Sequence, residues 1–378
     1  MDGPVTTTRI GRGAAEGVVR AGAEAALARR VLAANLALRP RENLTVEAWS
    51  HALPWARALV VEAHRIGADP VLAVEDEDAF FDRLAAAPRR DVPTAPRALL
   101  AGADAYVYLG GPEAFPRLFG VAPGELRAIA DWHSPAWRAE ARRRRVRVAR
   151  LAIADATPVA AGRFGVDVDA WRDELLAAMA VGPDRLARAA DSVVRAIASA
   201  RRLRIRHDNG TDLTVEVLPG SARGDIGRVS PRGPDVPVRL PAGRVTVRLR
   251  PGRGTGVWES NRPTYDRFAE PSTWLGARFV LGAGRLREFS FDRGGEAFAL
   301  GYGRGGRGRE LVTELCFGVN PAIDRAPEVG ELAAGSVSLR IGGRGARFSF
   351  GARLHGAALE IDGRPWRAVV GRRPRRNE

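Results

Sequence analysis

The sequence predicts an α/β N-terminal domain followed by a β-rich, α+β C-terminal domain, and three observations carry that prediction. Strand-like and helix-like periodicities alternate through the first 150 or so residues, the pattern that a parallel sheet covered by helices satisfies. Two amphipathic helical runs then intervene, at 169–180 and 183–200. After them come Asn209-Gly210, a strong short hairpin signal, and a series of alternating runs separated by glycine-rich turns. A chain of 378 residues exceeds one ordinary compact core, so two domains are expected, at 1–200 and 201–378.

Each element follows from its own pattern. Val18, Ala21, Ala25, Ala28, Val31 and Leu32 recur at helical spacing within 14–38. Leu44, Val46 and Ala48 alternate with Thr45 and Glu47, which marks a strand, and Pro54 opens a helix that Gly67 closes. Strand 70–74, helix 76–85, strand 104–109, helix 123–143 and strand 145–153 complete the alternating region. The two helices at 169–200 are read as the bridge, with Leu186, Val193, Val194 and Ile197 as the apolar stripe of the second. The second domain takes its strands from 203–217, 244–250, 277–281, 286–292, 311–317, 336–341 and 357–361. The segment GYGRGGRGRE at 301–310 reads as a loop. It has neither the Gly-Lys-Ser/Thr of a P-loop nor the strand–turn–helix context of a dinucleotide fingerprint.

Composition narrows the partners. Apolar residues make up 45% and charged residues 27%, as in an ordinary globular protein. The net charge of +15 comes entirely from arginine, since the chain has no lysine, and with the abundant Ala and Gly this reflects compositional bias. No basic run is interleaved with aromatic residues that could stack on bases, so no nucleic-acid partner is expected. No apolar run reaches the ~18 residues of a spanning helix, and the N-terminus MDGPVTTTRIGRG lacks an apolar signal core, so no membrane partner is expected either. One cysteine, Cys316, rules out an internal disulfide framework and fits a cytoplasmic setting.

Chemistry concentrates in the stretch RELVTELCFGVNPAI…GELAAGSVSLRIGG…ARLHGAALEIDG, residues 309–363. Together with ENLTVEA and GADPV within 42–71 and GTDLT at 210–214, it resembles the aminopeptidase T and S family of metallopeptidases over roughly residues 35 to 370. The resemblance implies a homodimer whose sites hold two divalent cations, Zn, Co or Mn, on carboxylates and histidines, one activating a water against a peptide carbonyl. Carried over position by position, it also implies that most of those ligands are gone. Arg244 in PAGRV stands where the first carboxylate is expected. Glu314 in TELCFG is the second glutamate, and Glu331 in GEL is the glutamate beside the metals. Ser338 replaces a histidine, and the final His-x-Asp pair becomes His355 and Ala357. Glu314 and His355 are therefore remnant ligands, too few for a stable zinc site. An arginine repels a cation and offers a glutamate a positive partner, so an Arg244–Glu314 ion pair is expected. The iron-dependent 2,5-dihydroxypyridine dioxygenases share this architecture, and of their His, His and Asp trio only His355 would survive.

Three functions follow. The first is a pseudoenzyme on an aminopeptidase fold that binds a peptide or amino-acid-like small molecule without a cofactor. The second is an active metallo-aminopeptidase, a hydrolase, drawing ligands from Glu296, Glu310, Glu328, Glu331, Asp324 and Asp362. The third is a metal-independent enzyme using Arg244, Glu314, Cys316 and His355, with Cys316 as nucleophile and His355 as its partner. Against that stands the ordinary behaviour of a lone cysteine in an apolar strand, which is to be a small buried hydrophobe. Ser336 and Ser338 share a strand face and are read as tolerated replacements. His51, His64 and His207 are read as structural, His133 in DWHSPAW as a packing residue, and WESNRPTYDRF at 258–268 as a loop bordering the pocket.

Overall fold

The computed structural model describes residues 22–86, 98–113, 117, 135–229, 237–266, 269–343, 346 and 348–366. The chain divides into two compact units, one of residues 1–110, 131–149 and 229–237, the other of 111–130, 150–228 and 238–378. His133 and part of the helix expected at 123–143 lie outside the described residues, as do residues 14–21 of the first helix.

The first unit is the α/β half. Its strand β1 (Asn43–Trp49) pairs in parallel with β2 (Asp69–Glu75) on one side and β3 (Ala105–Leu109) on the other, and β4 (Arg147–Leu151) follows β3 in the sheet. The helix Leu53–Ile66 crosses from β1 to β2, with proline in its first turn and Gly67 at φ 83° closing it. Although β1 alternates in sequence, it is buried on both faces, as a central parallel strand must be. The polar residues there are satisfied internally: Glu47 accepts the Tyr106 hydroxyl, and the Thr45 hydroxyl donates to the Leu99 carbonyl at 3.2 Å.

The second unit is the β-rich half, and it begins earlier than residue 201. Helices Pro158–Phe164, Val168–Ala180 and Pro183–Ile197 belong to it. The physical reason is the apolar stripe of the last helix, whose Ala190, Val193 and Ile197 are buried in the same cluster as the strands. The expected hairpin forms as β5 (Arg202–Arg206) and β6 (Asp212–Val217). The short β7 (Arg223–Asp225) and β8 (Val238–Leu240) precede β9 (Arg244–Glu259), a strand of 16 residues. Then come β10 (Thr264–Tyr265), β11 (Thr273–Trp274), β12 (Arg278–Gly282), β13 (Arg285–Ser290), β14 (Val312–Gly318), β15 (Ser336–Ile341), β16 (Phe350–His355), β17 (Ala358–Ile361) and β18 (Arg364–Trp366).

Apart from β8, β10 and β11, these make a large antiparallel sheet running β16-β15-β14-β9-β6-β5-β17-β18, with β7, β12 and β13 attached beside the main path; β10 and β11 pair with each other. Strand β9 organises it. Its first half pairs with β14 and β7, its second with β6 and β12. The strand expected at 244–250 runs on to Glu259, through the glycines of PGRGTG. Those glycines keep β9 extended where another strand crosses closely, since a Cβ on Gly256 would lie 2.1 Å from the Asp212 carbonyl oxygen.

Two further expectations are corrected. Residues 301–304 are not loop but the last turn of a helix, Gly295–Arg304, held in place by the burial of Phe298. Strand β16 lies outside the expected strands because it shows no alternation of wet and dry residues: four of its six, Phe350, Ala352, Arg353 and Leu354, are buried. Among the described residues no helix is long and apolar enough to cross a membrane.

Candidate functional site

The part of the sheet made by β7, β9, β14, β15 and β16 has two unlike faces. Val245, Val247, Leu315, Phe317, Val337, Leu339, Ala352 and Leu354 enter the main apolar cluster. The alternate positions carry charge and hydroxyls, as the period of two demands. Strand register sorts them into rows. Asp225, Arg244 and Gly318 are neighbours in one row, and Arg223, Thr246, Cys316, Ser338 and Arg353 in the next. Arg248, Glu314, Arg340 and Gly351 form a third, and Ser336 faces His355. Glu314, Cys316, Ser336, Ser338, Arg244 and His355 therefore do share one sheet face.

The short 3-10 turn Gly330–Leu332 lies over this face and brings Glu331 to it. Close approach is possible because position 318 has no side chain: a Cβ there would stand 2.1 Å from the Ala333 carbonyl oxygen. Asn320, fully buried, holds the connecting loop. Its amide donates to the carbonyls of Ala178 (3.1 Å) and Ala242 (2.8 Å), and its backbone N–H donates to Leu332 (2.9 Å). Sequence reasoning did not single out Asn320, although the polar Asn-Pro inside an apolar FGVNPAI run was the available signal.

Charge on the face is neutralised by arginine. Arg244 Nη1 donates to Glu331 Oε1 at 2.6 Å, and its Nε lies 3.5 Å from Asp225 Oδ2. Arg340 spans both glutamates, with Nη2 3.5 Å from Glu331 Oε2 and Nε 3.7 Å from Glu314 Oε2. Burial works against the charged form of Arg244, but the carboxylates of Glu331 and Asp225 outweigh it and leave its pKa above the ordinary arginine value. The expected Arg244–Glu314 pair does not form. Register sets Arg244 opposite Gly318 and Glu314 opposite Arg248, so the two are four residues out of step, about 13 Å along the strands. Arg340 and Asp225, which the sequence reading passed over, supply the actual partners.

The remaining candidates settle as follows. Both carboxylate oxygens of Glu331 face guanidinium groups, so it is engaged as an ion-pair acceptor. Cys316 is buried and its sulfur lies 3.7 Å from the Thr246 hydroxyl, not against His355. Burial pushes the thiol pKa up and the charge of Glu331 pushes it further, the opposite of what an attacking thiolate needs. Ellman's reagent at mildly alkaline pH is accordingly expected to leave Cys316 unlabelled in the folded protein and to label it fully in guanidinium chloride. Rapid labelling without denaturant would contradict this. His355 Nδ1 lies 3.3 Å from the Ser336 hydroxyl, and the residue's backbone is clamped by Asn261, which accepts its N–H (2.8 Å) and donates to its carbonyl (2.9 Å). Asn261 Nδ2 also lies 3.2 Å from His207 Nε2, so His207 joins this group rather than standing apart. Ala357 packs against the apolar cluster, away from the polar face. The segment 258–266 does border the site, through Ser260, Asn261 and Pro263.

Among the described residues no group of three His, Cys, Asp or Glu side chains is placed to hold a metal ion. The other carboxylates are dispersed: Glu310 pairs with Arg285, Asp324 lies 3.6 Å from Arg262, and Asp362 accepts the backbone N–H of Arg202 at 2.8 Å.

The fold has solved relatives. AmpT (aminopeptidase T) from Thermus thermophilus is similar with a TM-score of 0.64 at 16% identity, covering 90% of this chain and 95% of AmpT. The 2,5-dihydroxypyridine dioxygenase from Pseudomonas putida KT2440 is similar with a TM-score of 0.58 at 13% identity, covering 91% of this chain and 95% of that one. At such identities the likeness establishes an aminopeptidase-like fold and nothing finer. No protein-family model matches the sequence, and no curated protein does.

Proposed function

We propose that this chain is a pseudoenzyme on an aminopeptidase-like fold, a binding protein for a peptide or amino-acid-like small molecule, with the arginine–carboxylate network in the place of a metal centre. One observation carries the reading: the Arg244 guanidinium sits 2.6 Å from Glu331, with Asp225 on its other side. An arginine stays charged at every accessible pH, so it satisfies these carboxylates permanently and repels a divalent cation. Arg340 does the same for Glu314. The hydrolytic chemistry of such a fold needs a metal-activated water, and the groups that would hold the ion are already neutralised.

Two measurements test it together. Protein purified without chelator should contain far less than one equivalent of zinc, cobalt, manganese or iron by plasma mass spectrometry. A panel of aminoacyl anilides supplied with cobalt, manganese or zinc should show no turnover above the blank. Metal-dependent turnover that disappears in Glu314→Gln would establish the active aminopeptidase instead.

A further inference from the structure

Arg353 is a buried cation of this face that, among the described residues, has no carboxylate in ion-pair contact, Asp324 and Glu174 acting on it only at longer range. Arg353 is 6% exposed, and its cross-strand neighbour Ser338 is 4% exposed. Among the described residues, Arg353 Nε and Ser338 Oγ are buried polar atoms without a hydrogen-bond partner. Elsewhere on this face Arg244 pairs with Glu331 and Asp225 and Arg340 with Glu314 and Glu331, Arg262 beside Arg353 lies 3.6 Å from Asp324, and Arg223 donates to the carbonyls of Gly220 and Ala222. The one side-chain hydrogen bond from Arg353 runs from Nη2 to the Pro263 carbonyl at 3.3 Å. Gly330 covers the guanidinium so closely that a Cβ would stand 1.2 Å from Nη1. The protein thus encloses this cation between the 258–266 segment and the 330–332 turn and leaves its Nε–H without an acceptor among the described residues.

A guanidinium cannot shed its proton, so a buried one demands an anionic or strongly polar acceptor. Polar groups in interiors are nearly always paired, which makes two unpaired ones on directly opposed residues a place where something else binds. Nε–H and a hydroxyl are both able to donate, and a carboxylate is an acceptor with two oxygens. Asp324 and Glu174, the carboxylates that act on Arg353 at longer range, favour a singly charged group over a dianion such as phosphate, by ordinary repulsion.

We infer that Arg353 and Ser338 form the recognition point for the free carboxylate of the molecule bound on this sheet face. This rests on the binding reading above and specifies its ligand: a peptide or amino acid held by its C-terminal carboxylate.

Calorimetric titration with alanylalanine and with alanylalanine amide, which differ only in that carboxylate, tests the point. The native protein should bind the acid about tenfold or more tightly than the amide. Arg353→Gln should erase that preference, and Ser338→Ala should narrow it while leaving the protein folded. Equal binding of acid and amide, or an unchanged preference in both variants, would overturn the inference. A parallel arm uses formate alone, followed by thermal unfolding. Tm should rise with formate in the native protein and not in Arg353→Gln, with Ser338→Ala responding less. If neither dipeptide binds but this formate response holds, the peptide-binding reading falls and the carboxylate point stands. If formate raises Tm equally in the native protein and the variants, the carboxylate point falls. Should Arg353→Gln fail to fold, an unaltered Ser338→Ala response in both arms is the overturning result.

Discussion

Arg244→Glu is expected to lower the free energy of unfolding by about 3 kcal/mol in the presence of chelator, and manganese should return part of that loss. The guanidinium now lies between Glu331 and Asp225, with about a quarter of its side chain exposed. Removing one partner from a fully buried pair costs 3 to 5 kcal/mol, and partial exposure places this site at about the lower end. The replacement also adds a negative charge to two existing ones. Three carboxylates would then converge where no group of three now stands, and oxygen ligands in that number suit a hard divalent ion. Restoration stays partial because Arg340 remains beside Glu331. Urea unfolding of the native protein and the variant, each with chelator and with manganese, measures both effects. A variant as stable as its parent, or one indifferent to manganese, would show that Arg244 does not hold the site together.

Phe298→Ala is expected to destabilise by about 4 kcal/mol, the range for deleting a buried phenylalanine. The ring is fully buried, and six others surround it with centroids 4.7 to 5.9 Å away: Phe279, Phe289, Phe291, Tyr302, Phe348 and Phe350. So many rigid rings collapse poorly into a vacancy, which keeps the cavity contribution high. Phe350 belongs to β16, the strand that carries Arg353 and His355, so the loss should loosen the edge of the site as well. Urea denaturation checks the magnitude. A change below about 1 kcal/mol would mean that the neighbouring rings refill the space.

Much of the fold was legible because periodicity reports burial. The alternation at 43–49, the Asn209-Gly210 hairpin and the runs at 311–317 and 336–341 each translate directly into strands. Legibility failed where a buried strand carried no alternation in its sequence or where glycine misled. Strand β16 has no exposed face to betray it, the glycines of 252–256 imitate a turn inside β9, and the helix Gly295–Arg304 hides in a glycine-rich run. At the site, the residues that share the face could be named from their spacing. Their pairings could not, since the four-residue offset between Arg244 and Glu314 belongs to the register of two strands more than 50 residues apart.

The sequence alone determined which side chains are available: arginine at 244, glutamates at 314 and 331, serine at 338 and histidine at 355, on strands whose alternate residues are apolar. That much is local, because a period of two fixes the face on which each residue lies. Only the tertiary structure decided that Arg244 meets Glu331 and Asp225, that Arg340 takes Glu314, and that Arg353 Nε is enclosed without a hydrogen-bond partner among the described residues. Those outcomes depend on strand register and on the 330–332 turn folding back across the sheet, contacts between residues far apart in the chain that no local pattern encodes.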